Sequence, residues 1–112
     1  MLDGCTPHPA DYADRYVREG CWRLETLGDL LEKAARVWPQ HTAVADSARR
    51  LSYAELNILS NRLALHFLDR GLKPRDIVLL QAPNRWEFAP VFFALQKIGV
   101  LPVMCLPPHR HT

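Results

Sequence analysis

The chain has 112 residues, 48% hydrophobic and 23% charged, with 14 Lys plus Arg against 12 Asp plus Glu and a net charge of +2. That length holds one domain with one modest core, burying about two thirds of the surface of the unfolded chain. The charges are interspersed and form no basic stripe of the kind that follows a phosphate backbone, which argues against nucleic acid as a partner.

Asp3 and a polar, proline-broken stretch stand where a secretory signal would carry basic residues and then an apolar run, so no signal peptide is expected. Tyr12 and Tyr16, at helical spacing among Asp14, Arg15, Arg18 and Glu19, predict a short amphipathic helix ending near Gly20. Cys21 beside Trp22 reads as a packing residue, because no base lies near it in sequence. Thr26 stands at an N-cap position, and Leu27, Leu30, Leu31, Ala34 and Trp38 follow at helical spacing until Pro39, which predicts a helix from Leu27 to Val37. Thr42 to Asp46 is β-prone, Ser47 to Arg50 is turn-like, and Leu51 resumes the apolar pattern, so the pair reads as a small hairpin.

Ser52-Tyr53-Ala54-Glu55 is a capping box that opens a second helix, with Leu56, Leu59, Leu63 and Phe67 as its buried stripe and Gly71 just past its end. Capping and packing account for Tyr53 and Glu55 more simply than an acid/base pair, and His66 reads as a surface residue of the same helix. After Lys73-Pro74, the aliphatic run Ile77 to Leu80 predicts a strand covered on both faces. Asn84 is placed to cap the next helix, in which Pro90 is an internal anomaly and Phe88, Val91, Phe92 and Leu95 face the core. Gly99 ends that helix, and Val100 to Leu106 returns as a buried strand in which Pro102 implies an edge position or a bulge.

A strand, crossover helix and strand from Ile77 to Leu106 make a βαβ unit, and with the preceding helices the fold class is α/β with an incomplete, largely parallel sheet. The organisation expected is a single partial domain over residues 1–112, with residues 1–24 as a leader and 25–112 as helix, hairpin, helix and βαβ unit. No apolar run supplies the roughly 20 residues of a membrane span. The three cysteines, Cys5, Cys21 and Cys105, are sparse and lack metal spacing, which fits a reducing cytoplasm.

The chemistry-bearing patterns are few. The five glycines lie far apart, so no loop clusters backbone N–H groups around a phosphate. No Gly-x-Ser-x-Gly elbow, Cys-x-x-Cys pair or His-Glu-x-x-His helix occurs. Cys105, His109 and His111 could be drawn as a soft metal site, but they read more simply as a strand cysteine followed by a solvated loop.

The order of motifs resembles the start of the adenylate-forming acyl and aryl acid ligases. Leu51-Ser52-Tyr53-Ala54-Glu55-Leu56 resembles the first core motif of that family, and Leu95-Gln96-Lys97-Ile98-Gly99-Val100-Leu101-Pro102-Val103 resembles its second. Gly71-Leu72-Lys73-Pro74-Arg75-Asp76-Ile77-Val78 is similar to the family's entry into a strand, and Pro83-Asn84 to its entry into the next helix. The leader from Tyr12 to Trp22 and the exit Leu106-Pro107-Pro108-His109-Arg110 are similar to the branch that activates 2,3-dihydroxybenzoate or salicylate for siderophores.

The resemblance implies formation of an aryl-AMP from ATP with Mg²⁺, and transfer of the acyl group to the thiol of an aryl carrier protein. It supplies no catalytic, cofactor-binding or metal-binding residue in this chain. The family's phosphate loop, ribose-binding aspartate and catalytic lysine have no counterpart in these residues, so the chain alone is expected to be inactive. The matching positions Leu51, Ser52, Tyr53, Glu55, Leu56, Gly71, Gly99 and Pro102 are structural in the family, and His109 and Arg110 stand nearest to a rim of the acyl site. Two other readings stay open: a non-catalytic interaction module or half of a split ligase, completed by the remaining polypeptide, and part of a fatty-acyl or amino-acid adenylating enzyme.

Overall fold

The computed structural model describes residues 3–108, and the candidate rim residues His109 and Arg110, with His111, lie outside the described residues. Helix α1 (Ala10–Arg18) forms where the tyrosine spacing predicts it and is tied by Arg15 Nε to Glu19 Oε1 at 2.9 Å, but it buries none of its residues. Cys21, expected to pack, is exposed. Trp22 instead takes the contacts, with ring centroids 5.4 Å from Tyr16 and 5.3 Å from His8.

Helix α2 (Leu27–Val37) begins at Thr26, whose hydroxyl accepts the Asp29 N–H at 3.1 Å while Asp29 Oδ2 accepts the Thr26 N–H at 2.9 Å. The Thr26 backbone N–H, then the Thr26 hydroxyl, holds the Asp29 carboxyl below its ordinary value. Strands β1 (Thr42–Ala45) and β2 (Arg50–Ser52) pair antiparallel, with Val44 opposite Leu51 and an irregular register between Thr42 and Val44.

Helix α3 (Tyr53–Asp69) starts with the full capping box: Ser52 Oγ accepts the Glu55 N–H at 3.2 Å and Glu55 Oε2 accepts the Ser52 N–H at 2.8 Å. Ser52→Ala is expected to cost about 1 kcal/mol through the lost cap. An unchanged urea midpoint would refute that assignment. The helix ends at Gly71, φ +93, where the Gly71 N–H reaches Leu68 O and the Leu72 N–H reaches Phe67 O, so the orphan carbonyls of the last turn are satisfied.

The buried line of α3 is Leu56, Ser60 and Ala64, while Leu59, Leu63 and Phe67 are only half-buried. The expected stripe is therefore displaced toward small residues. Helix α4 (Phe88–Lys97) packs across α3 and buries Pro90, Ala94 and Leu95; where two helices approach closely, small side chains are covered and long ones flank the crossing. The Ser60 hydroxyl, fully buried, donates to Leu56 O at 2.7 Å. Phe88, Val91 and Phe92 are half-buried, and Phe93, which the spacing did not single out, packs against the core. That core joins Leu31 of α2, Leu51 of β2 and Leu56 of α3, flanked by Val44, Tyr53 and Trp86 among others. Lys97 Nζ meets Glu32 Oε1 at 2.9 Å with the lysine side chain only 9% exposed, which ties α4 to α2.

Strands β3 (Ile77–Gln81) and β4 (Leu101–Cys105), joined by α4, pair parallel from Ile77 opposite Leu101 to Gln81 opposite Cys105. The fold class is thus α/β, with four helices and a small parallel sheet among the described residues. The sheet is not covered on both faces: Ile77 is 67% and Leu79 71% exposed, because two strands with one crossover helix shield one side only. Asn84 does not cap α4, whose N-cap position is Glu87 without a side-chain bond. Pro90 is not internal but lies in the first turn, where its missing N–H would have had no intrahelical partner. Pro102 sits opposite Val78 in unbroken register, so of the two possibilities the structure has the edge and not the bulge.

Candidate functional site

In open α/β sheets ligands bind outside the carboxyl ends of the strands. Here that place is a cleft of about 300 Å³ between the β3–α4 connection and the exit of β4, lined by Ala82, Asn84 and Phe88 on one side and Met104, Cys105, Leu106 and Pro107 on the other. Gln81, the last residue of β3, bridges the two sides: its Nε2 donates to Leu106 O at 2.9 Å. Phe88 is braced from behind by Phe92, with ring centroids 6.0 Å apart. A larger hollow of about 600 Å³ lies along Asp11, Asp14, Val17, Arg18 and Leu24, but it borders the fully unburied α1 and meets no strand end.

The lining of the cleft is apolar apart from the Asn84 amide and the Cys105 thiol, with no cationic or carboxylate side chain. A triphosphate needs cations and clustered N–H donors, and Mg²⁺ needs oxygen ligands. The lining of the cleft fits neither, and no group of three metal-capable side chains is found among the described residues. The chemistry available here is the packing of apolar surface and one amide's hydrogen bonds.

Of the residues singled out in the sequence, Asn84, Phe88 and Cys105 line this cleft, and the matching family-motif positions do not converge on it. Ser52, Tyr53, Glu55 and Leu56 shape the start of α3, Gly71 ends that helix, and Gly99 ends α4, with Pro102 two residues into the amino-terminal half of β4. His66 is exposed on α3. The residues that hold the cleft's walls were not singled out: Gln81 by its amide and Asp46 by its carboxylate, whose Oδ2 accepts the Trp86 N–H at 2.8 Å. An aspartate opening a turn is readable in sequence, but a bond to a residue 40 positions later is not.

The family model for AMP-binding enzymes matches residues 31–111. The chain belongs to the AMP-binding enzyme family. Among its relatives, a salicyl-AMP ligase / salicyl-S-ArCP synthetase of Mycobacterium tuberculosis is 47% identical over 97% of this chain, and a 2,3-dihydroxybenzoate-AMP ligase of Bacillus subtilis is 43% identical over all of it. The apo structure of MbtA from Mycobacterium smegmatis superposes with a TM-score of 0.91 at 48% identity, covering 96% of this chain. The chain spans only about one fifth of the length of each: 20%, 21% and 20% respectively. Its architecture is that of the N-terminal region of adenylate-forming ligases. No helix of the chain, among the described residues, is long and apolar enough to cross a membrane.

Proposed function

We propose that the chain forms the N-terminal part of an aryl acid adenylating ligase, which makes an aryl-AMP from salicylate or 2,3-dihydroxybenzoate and ATP and loads it on the thiol of an aryl carrier protein. What supports the aryl branch is the 47% identity to a salicyl-AMP ligase over 97% of the chain, because that coverage takes in the leader ahead of residue 31, where the family model begins. In this reading residues 1–112 are a single partial domain, with residues 1–24 as its leader and 25–112 as helix, hairpin, helix and βαβ unit, and the enzyme works in the cytoplasm. His109 and Arg110 are proposed as residues of the acyl site's rim.

The contribution of these residues is architectural. They supply the first parallel strand pair, its crossover helix and the helices behind it, while the groups that would hold a triphosphate are not among them. The chain alone is therefore expected to show no aryl-acid-dependent ATP–pyrophosphate exchange. A chimera carrying these residues in place of the corresponding part of the Bacillus subtilis 2,3-dihydroxybenzoate-AMP ligase is expected to keep that exchange with its aryl acid. Exchange by the 112-residue chain alone would refute the inactivity, and a folded chimera that preferred fatty or amino acids would refute the aryl branch.

The open sheet face favours a second reading beside this one. Ile77, Leu79 and Val103 lie on one face of β3 and β4 and are all exposed, an apolar patch that a complementing polypeptide could cover. Restoration of exchange on mixing the chain with a ligase lacking this part would identify it as half of a split enzyme.

A further inference from the structure

One wall of the cleft, the β3–α4 connection over residues 82–87, is held by a residue remote in sequence. Asp46 opens the β1–β2 turn, where its Oδ1 accepts the N–H groups of Ala48 and Arg49, each at 2.8 Å. Its other oxygen, Oδ2, accepts the Trp86 N–H at 2.8 Å. Arg49, carried on the same turn, places its guanidinium carbon 4.5 Å from the centroid of the Trp86 ring, and Trp86 packs against the Leu31, Leu51 and Leu56 core. Trp86 is thus gripped through its backbone and its ring, between the cleft-lining residues Asn84 and Phe88.

We propose that Asp46 is a positioning residue for the cleft, its carboxylate coupling the hairpin turn to the connection that forms the cleft's wall. Only a carboxylate offers acceptors on both of its heteroatoms; an asparagine has one acceptor oxygen, enough for the turn, and a donor amide where Trp86 needs an acceptor. The bond from the Trp86 backbone, followed by those from Arg49 and Ala48, also holds the Asp46 carboxyl below its ordinary value, so it is ionised at neutral pH. The inference rests on the sheet-end cleft being the part that faces the ligase's site. Its readouts require no nucleotide or acid, so its failure is distinct from a failure of that reading.

The test compares the 112-residue chain with Asp46→Asn by amide hydrogen exchange and by the rate of thiol modification at Cys105, which lines the opposite wall. In the unaltered chain the Trp86 amide is expected to exchange at least about tenfold more slowly than an unstructured amide, as a hydrogen bond to a charged acceptor implies. In Asp46→Asn that protection is expected to vanish while the Ala48 and Arg49 amides keep theirs, and Cys105 is expected to react several-fold faster. Ser52→Ala, which weakens the fold at a helix cap and removes no bond of Asp46 or Trp86, serves as the control and is expected to leave the Cys105 rate unchanged. Wild-type values for Trp86 and Cys105 in Asp46→Asn would overturn the proposal, as would an equal acceleration in Ser52→Ala. Should Asp46→Asn lose cooperative unfolding, the Trp86 amide of the unaltered chain decides alone, and exchange at the unstructured rate overturns the proposal.

Discussion

Leu51→Ala is expected to lower the free energy of unfolding by about 2–5 kcal/mol, the range for deleting a large aliphatic side chain from a closed core. Leu51 is 0% exposed and is the point where β2, α2 and α3 meet, with Leu31 and Leu56 as its buried partners. The cost should fall toward the upper end because the neighbours cannot close on the gap. Leu51 is held in register opposite Val44 and is followed at once by the capping box at Ser52, so β2 cannot shift inward without breaking the start of α3. Small domains carry only about 5–15 kcal/mol of net stability, so a loss of this size reaches well beyond the mutated site. Trp86 packs against the same cluster, and the β3–α4 connection should loosen with it. Urea unfolding followed by circular dichroism measures the effect. A midpoint within error of the wild type would show that Leu51 does not close the core. Leu24→Ala, at a position 91% exposed, is the matched control and should change little.

Local signals were the ones legible in the sequence. The capping box at Ser52, the N-cap at Thr26, and the glycines that end α3 and α4 all act within one turn of helix, and the structure has each in place. The parallel pairing of β3 with β4 followed from the same logic, since two strands joined by one helix have little choice of arrangement. Contacts between distant segments were not legible. Spacing alone marked Leu59 and Leu63 as core, but the closeness of α4 decided that Ser60 and Ala64 would be covered instead. A continuous aliphatic run reads as a strand buried on both faces, yet Ile77 and Leu79 are exposed, because burial depends on what else packs against the sheet. The cleft shows the same division. Cys105 and Pro107 could be placed at a strand's carboxyl end from the pattern, whereas Asp46 and Gln81 act through bonds spanning 40 and 25 residues.

Gly99→Val is expected to be the second most damaging change, at up to about 3 kcal/mol, because three costs coincide at one position. Gly99 has φ +71, a conformation that carries roughly 1–2 kcal/mol of strain for any residue with a Cβ and more for a β-branched one. The conformation cannot relax cheaply. The Gly99 N–H reaches Gln96 O at 3.2 Å and the Val100 N–H reaches Leu95 O at 3.0 Å, the paired bonds that satisfy the last carbonyls of α4. Gly99 O in turn accepts the Arg75 N–H at 2.8 Å, fixing the entry to β3, where Arg75 itself has φ +75. A Cβ at residue 99 would stand 3.4 Å from Pro74 Cβ, ordinary contact for a methyl but leaving little room for the two further methyls of valine. Substitution should therefore strain both ends of the βαβ unit together, the exit of α4 and the start of β3. The expected order of destabilisation is Asn, then Ala, then Val, since asparagine tolerates the left-handed region best. Urea midpoints of the three variants test that order. Equal midpoints for Ala and Val would show that the Pro74 contact and the branching at Cβ add nothing, and a wild-type midpoint for Val would remove Gly99 as the residue that turns α4 into β4.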